Sequence, residues 1–210
     1  METILVADDH EIVRQGIKLI ISSFPEKYRL IEASTCSGVL QWLSKEKVDY
    51  LIADMQLEDG NIFFTGSPFT EYCSITKVLV YTMNPEKIYG RRLIQKGVKG
   101  FLSKRAPIDQ LETAIRSILN GEMYLSTWMK EVLASPSAAN QSANPIDLLS
   151  DRELEVVEYV SAGLGLKEIA QVMHLDTTTA GTYRRRAFSK LGVDNTLALK
   201  DKFTFYKLEG

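Results

Sequence analysis

Asp8, Asp9 and Asp54 follow two short apolar runs, Ile4-Leu5-Val6-Ala7 and Tyr50-Leu51-Ile52-Ala53, and Lys104 follows a third, Gly100-Phe101-Leu102-Ser103. Carboxylates gathered at one point repel one another, and a hard cation with oxygen ligands, such as Mg²⁺, removes that cost. An ammonium beside them pairs with phosphoryl oxygens. These residue types describe a site for metal-assisted phosphate chemistry. In such a site Asp9, Asp54 and a backbone carbonyl, that of Gln56, hold Mg²⁺, while Asp8 acts through a bound water. The Asp54 carboxylate attacks phosphorus to give an aspartyl phosphate, with Lys104 and the Thr82 hydroxyl on the new phosphate oxygens. An Asp-Asp pair alone is more often a solvated turn or a helix N-cap than a chemical site. The company of Asp54, Thr82 and Lys104, each ending an apolar run, selects the chemical reading.

The runs must be strands for these residues to converge. Continuous apolar segments near 3–8, 28–33, 48–53, 77–82 and 99–103 alternate with amphipathic patterns over 11–23, 37–45, 85–96 and 107–120. This alternation predicts an α/β doubly wound parallel sheet. Parallel strands place their carboxyl ends on one edge, where ligands of such sheets bind. One helix is poorly written: 61–73 contains Gly66-Ser67-Pro68, a helix breaker.

The chain has 210 residues, 45% hydrophobic and 25% charged, with a net charge of −2, so any nucleic-acid surface must be local rather than global. Cys36 and Cys73 stand at no metal-ligand spacing and are expected to be packing thiols in a reducing compartment. No apolar run approaches the ~20 residues that a membrane span needs. A cytoplasmic protein without membrane contact is the expectation.

After Leu133 the composition changes. Residues 134–145 lack large apolar side chains and are expected to form a flexible linker. Beyond them only helical patterns remain. Ser150 and Glu153 form a capping box, Gly163 ends that helix, 167–173 forms a second, and Asp176 N-caps a third that runs to about Leu191. At 100° per residue, Ala180, Ala187 and Leu191 share a core-facing side of the third helix. Thr178, Thr182, Arg185 and Ser189 lie opposite, a polar stripe without acids that suits a major groove. Arg184, Arg185 and Arg186 cannot all meet one groove; Arg185 is the expected base reader, with Arg186 and Lys190 toward phosphates. An Arg-Arg-Arg run by itself is more often a solvated helix face, and the surrounding helical pattern carries the DNA reading.

The first part of the chain resembles the receiver domain of two-component response regulators, over about residues 1–122. The resemblance implies a (βα)5 flavodoxin-like fold and phosphorylation of Asp54 by a partner histidine kinase. It implies Asp8 and Asp9 as the acidic pair with Mg²⁺ as cofactor, Thr82 as switch hydroxyl, Lys104 as phosphate-sensing lysine and Phe101 as switch aromatic. His10 then becomes an ordinary residue at the start of the first helix. Glu58 stands where the family often has Pro, which bears on how long the phosphoryl group stays.

The strings LSDRELEVV, KEIA and SKLGV resemble the LuxR-type helix-turn-helix of NarL/FixJ-type regulators. The resemblance implies a small all-α DNA-binding domain over 147–210, joined by a linker over 123–146. Its DNA-binding set is Lys167, Thr178, Thr179, Thr182, Arg185, Arg186 and Lys190. Gly165 and Leu166 replace polar residues, Ala180 a common Val, Gly181 a polar or basic residue and Tyr183 a frequent His, so target preference does not carry over from the family. Acidic and basic side chains are equal in number over 151–210, so a monomer should bind weakly and a homodimer is expected on DNA. The expected function is a phosphorylation-controlled transcription factor, with at most slow autodephosphorylation as enzyme activity. Two readings compete: a phosphorylation-independent DNA-binding protein whose receiver is a constitutive dimerisation module, and a Mg²⁺-dependent phosphatase. The phosphatase lacks an acid/base residue near Asp54, since position 56 is Gln.

Overall fold

The computed structural model describes residues 1–64, 69–134 and 145–208. They fall into two compact units that divide after Ala134. In the first unit, strands β1 (Thr3–Ala7), β2 (Arg29–Ala33), β3 (Tyr50–Ala53), β6 (Lys77–Thr82) and β7 (Gly100–Ser103) form one parallel sheet in the order β2-β1-β3-β6-β7. β1 and β3 are buried along their whole length, which is why they read as unbroken apolar runs. Helices α1 (Glu11–Ser22), α2 (Cys36–Lys45) and α4 (Glu86–Gln95) lie between successive strands, and α5 (Ile108–Leu119) follows the last one. The expected doubly wound sheet is thus observed, with element boundaries shifted by one or two residues.

The segment after β3 departs from plain alternation. Strands β4 (Gln56–Leu57) and β5 (Gly60–Asn61) make a short antiparallel hairpin, and α3 (Phe69–Tyr72) has only four residues. The hairpin also serves α2. Asp59 accepts from the Ser37 N–H at 3.1 Å, while Thr35 caps the helix by accepting from the Gly38 N–H at 3.0 Å. The Gly66-Ser67-Pro68 break lies outside the described residues.

The first unit is longer than expected. Within the stretch 123–146 anticipated as linker, Tyr124 forms a parallel bridge to Gly100, and α6 (Thr127–Ala134) is helical with Met129 fully buried. α6 precedes the compositional change after Leu133, and Met129 is the buried residue that ties it to the first unit. The rest of that stretch up to residue 144 lies outside the described residues.

The second unit opens with a 3₁₀ turn (Pro145–Leu148) and holds α7 (Asp151–Ala162), α8 (Leu166–Val172), α9 (Thr177–Leu191) and α10 (Thr196–Leu208). The Ser150–Glu153 capping box is present, and Gly163 ends α7 at φ 98°, a left-handed backbone that suits glycine. α10 was not anticipated as a separate helix. Its signal was Asn195, whose Oδ1 accepts from the Ala198 N–H at 2.9 Å.

Candidate functional site

The sheet order places β1 beside β3 at the point where strand connections reverse, so Asp8, Asp9 and Asp54 emerge into one crevice. Ladder bonding runs up to the strand ends: Asp54 N–H donates to the Ala7 carbonyl and Lys104 N–H to the Thr82 carbonyl, both at 2.8 Å. Lys104 Nζ then lies 2.5 Å from Asp54 Oδ2 and 2.7 Å from Asp8 Oδ2. Both carboxylates are buried. Burial alone would lower the Lys104 pKa, but the Asp54 and Asp8 carboxylates overcome it and hold the ammonium above its ordinary value.

Asp9 is different, with a side chain 30% exposed and its Oδ1 2.6 Å from His10 Nδ1. Gln56 N–H donates to Asp54 Oδ1 at 3.3 Å, which keeps the Gln56 peptide beside the carboxylate. Oxygen donors with one solvent-accessible member fit a hydrated hard cation. Thr82 is buried and its Oγ1 accepts from the Asn84 N–H at 3.3 Å. Phe101 is buried, and its N–H donates to the Tyr124 carbonyl at 3.4 Å. Glu58 is exposed at the tip of the β4–β5 hairpin, so its charge is largely screened at the site.

Sequence reasoning did not anticipate Arg14, whose Nη1 donates to the Asp8 carbonyl at 2.7 Å while its Nε pairs with Glu32 at 3.1 Å. This pair buttresses the β1 terminus. The alignment of α1 over β2 is a packing fact with no local signature. His10 Nδ1 also lies 3.4 Å from Asp8 Oδ1, so it joins the acidic pair more closely than an ordinary helix-start residue.

In the second unit, Ala180, Ala187 and Leu191 are buried, as the helical angle required. Thr178, Arg185 and Arg186 on α9 and Lys167 on α8 are exposed. Two members of the expected DNA-binding set are otherwise engaged. Thr179 Oγ1 donates to Asp176 Oδ2 at 2.6 Å within the N-cap of α9. Lys190 Nζ sits 2.6 Å from Glu153 Oε2, so its ammonium neutralises a buried carboxylate rather than standing free for phosphate. Thr182 Oγ1 donates back to the Thr178 carbonyl at 3.0 Å, the common resting place of a helical threonine.

The response regulator receiver domain profile matches residues 4–116, more than half of the chain. The chain is a response regulator. Residues 147–202 match the profile of the bacterial regulatory proteins of the luxR family, so the receiver precedes a LuxR-type helix-turn-helix DNA-binding domain. The chain is 28% identical over 200 residues to the response regulator UvrY of Escherichia coli K12, covering 95% of this chain and 92% of that protein. It is 28% identical over 197 residues to the oxygen regulatory protein NreC of Staphylococcus aureus RF122, covering 90% and 91%. Among solved structures, RcsB from Salmonella enterica serovar Typhimurium, bound to promoter P1flhDC with the phosphomimetic BeF₃⁻, has a TM-score of 0.72 at 23% identity. That match covers 96% of this chain and 97% of that one. The fold of the regulator is therefore shared with this two-domain type. Among its described residues no helix is long and apolar enough to cross a membrane.

Proposed function

We propose that phosphoryl transfer from a partner histidine kinase to Asp54 switches this response regulator into a dimer that binds specific double-stranded DNA. The observation that carries the reading is the Lys104 ammonium shared between Asp54 and Asp8 at 2.5 and 2.7 Å. It holds the nucleophile oriented and supplies a cation that is retained when the charge moves onto phosphate.

Asp9, Asp54 and the Gln56 carbonyl would hold Mg²⁺, which would supply charge neutralisation for a phosphoryl group when bound. An Asp54 carboxylate oxygen bonds to phosphorus, and the bond from phosphorus to the donor imidazole nitrogen breaks, its electron pair leaving with the imidazole. Lys104 exchanges its Asp54 oxygen for a phosphate oxygen. Thr82 turns its hydroxyl proton toward another, giving up its place as acceptor for Asn84. Movement of Thr82 reaches Phe101 because β6 and β7 are paired in register, Val80 opposite Phe101 and Thr82 opposite Ser103.

In the helical domain, Arg185 reads base edges, with Thr178 and Thr182 beside it, and Lys167 and Arg186 meet phosphates. Dimerisation raises the local concentration of a domain whose own charge is balanced. RcsB, which shares the fold, has been seen on promoter DNA in the presence of a phosphomimetic, and this supports DNA binding by the phosphorylated form here. The reading places the regulator in the cytoplasm with its kinase partner and DNA.

The test compares wild type with Asp54→Ala, each given a small-molecule phosphodonor and Mg²⁺. Wild type should incorporate phosphate, shift toward dimer and bind its selected DNA more tightly, with none of these in the variant. An identical response of both proteins removes Asp54 as the switch and leaves the receiver as a constitutive dimerisation module.

A further inference from the structure

Two of the departures from the LuxR-type pattern, Leu166 and Gly181, belong to different helices and meet in the fold. A Cβ placed on Gly181 would lie 3.6 Å from Leu166 Cδ2, an ordinary van der Waals contact. The glycine therefore leaves open a space that has leucine as its wall. A cavity of about 510 Å³ opens there, lined by Leu166, Gly181 and Phe188, with Arg184, Arg185 and a single acid, Asp194, among its other residues. The Arg184 guanidinium lies 5.1 Å from the Phe188 ring centroid, so part of the basic rim is held against the apolar wall.

At 100° per residue, Gly181, Arg184, Arg185 and Phe188 form one stripe along α9. Its edge at Arg185 is shared with the outward stripe of Thr178 and Thr182. The notch thus borders the surface assigned to the major groove. Every base edge there presents hydrogen-bond donors or acceptors, and the one apolar group is the 5-methyl of thymine. An apolar notch with a basic rim, bordering hydroxyls and an arginine, complements that methyl and the phosphates around it. Glu168 reinforces the contrast: its Oε2 accepts the Gly165 N–H at 2.6 Å, so the first turn of α8 is capped from within the helix.

We propose that Leu166 and Gly181 form a pocket for a thymine methyl and thereby set part of this regulator's sequence preference. The proposal rests on the DNA-binding reading above. Losing one methyl contact of this kind corresponds to about a fourfold change in affinity.

The experiment takes full-length, phosphodonor-treated protein through binding-site selection and then replaces each thymine of the selected site singly with uracil, which lacks only the methyl. At one thymine per half-site, replacement should weaken wild-type binding about fourfold. Leu166→Ser and Gly181→Ala should bind the thymine and uracil sites equally at that position. The wild-type scan needs no variant, so poor folding of either substitution leaves it decisive. Indifference of the wild type to uracil at every position overturns the pocket while leaving DNA binding intact. Such indifference together with an altered oligomeric state in Leu166→Ser would make the notch a contact between copies instead. Failure to select any sequence overturns the DNA-binding reading and the pocket with it.

Discussion

Lys104 serves two buried carboxylates with one ammonium, and this makes the receiver's stability depend on a residue that the proposed phosphoryl transfer also uses. Lys104→Met leaves Asp8 and Asp54 buried beside each other without their cation. A loss of about 1–3 kcal/mol is expected in Mg²⁺-free urea unfolding, the cost of an unsatisfied buried charged group. Saturating Mg²⁺ should recover part of it, because an ion bound by the native state alone shifts the equilibrium toward folding. Lys190 makes a similar commitment in the helical domain. Burial alone would raise the Glu153 pKa, but the Lys190 ammonium and the Ser150 N–H hold it below the usual value. A carboxyl depressed on folding contributes its full stability above the unfolded value of about 4.3, and loses it as pH falls through the lower folded value. Lys190→Met should therefore be less stable than wild type at neutral pH, and the gap should close as pH falls below about 4, as read by acid titration of unfolding midpoints.

At the scale of elements, α6 is a short helix seated on the first unit by one buried side chain, Met129. A Cβ at Gly90 on α4 would come within 2.6 Å of Met129 Cε, so the glycine permits the close approach that seats α6. Glu86, one turn earlier on α4, lies beneath the same segment, and burial pushes its carboxyl up despite a hydrogen bond with Ser126. Removing a buried methionine side chain costs about 2–5 kcal/mol. That exceeds what an eight-residue helix supplies for itself in water, since helices shorter than about 12 residues are marginal there. Met129→Ala should accelerate hydrogen exchange over 127–134 while β1 and β3 keep their protection. Unchanged exchange there would mean that the backbone bridge at Tyr124 holds the helix without the methionine.

Across the whole molecule, two lysine–carboxylate pairings draw on different residues: Lys104 pairs with Asp8 and Asp54, and Lys190 with Glu153. The stability losses of Lys104→Met and Lys190→Met should add within about 0.5 kcal/mol in the double variant. A larger coupling term in that cycle would reveal energetic communication between receiver and DNA-binding domain. Much of this architecture is legible in the amino-acid order. Asp8, Asp54, Thr82 and Lys104 could be placed at strand ends because a strand buried on both faces writes itself as a continuous apolar run. Ala180, Ala187 and Leu191 could be placed on the core because helical angle is a local property. Local rules are silent on pairs brought together by packing. Lys190 with Glu153, Leu166 with Gly181, Met129 with Gly90 and Arg14 with the Asp8 carbonyl each join elements whose mutual angle no periodicity encodes. The acidic cluster and the polar stripe of α9 thus follow from residue order, since strand direction and helix pitch are repeated locally at every residue. Which lysine is already paired, and where the surface of α9 turns apolar beside Leu166, follow from how separate elements pack, because side chains distant in the chain compete for the same partners only once the fold has formed.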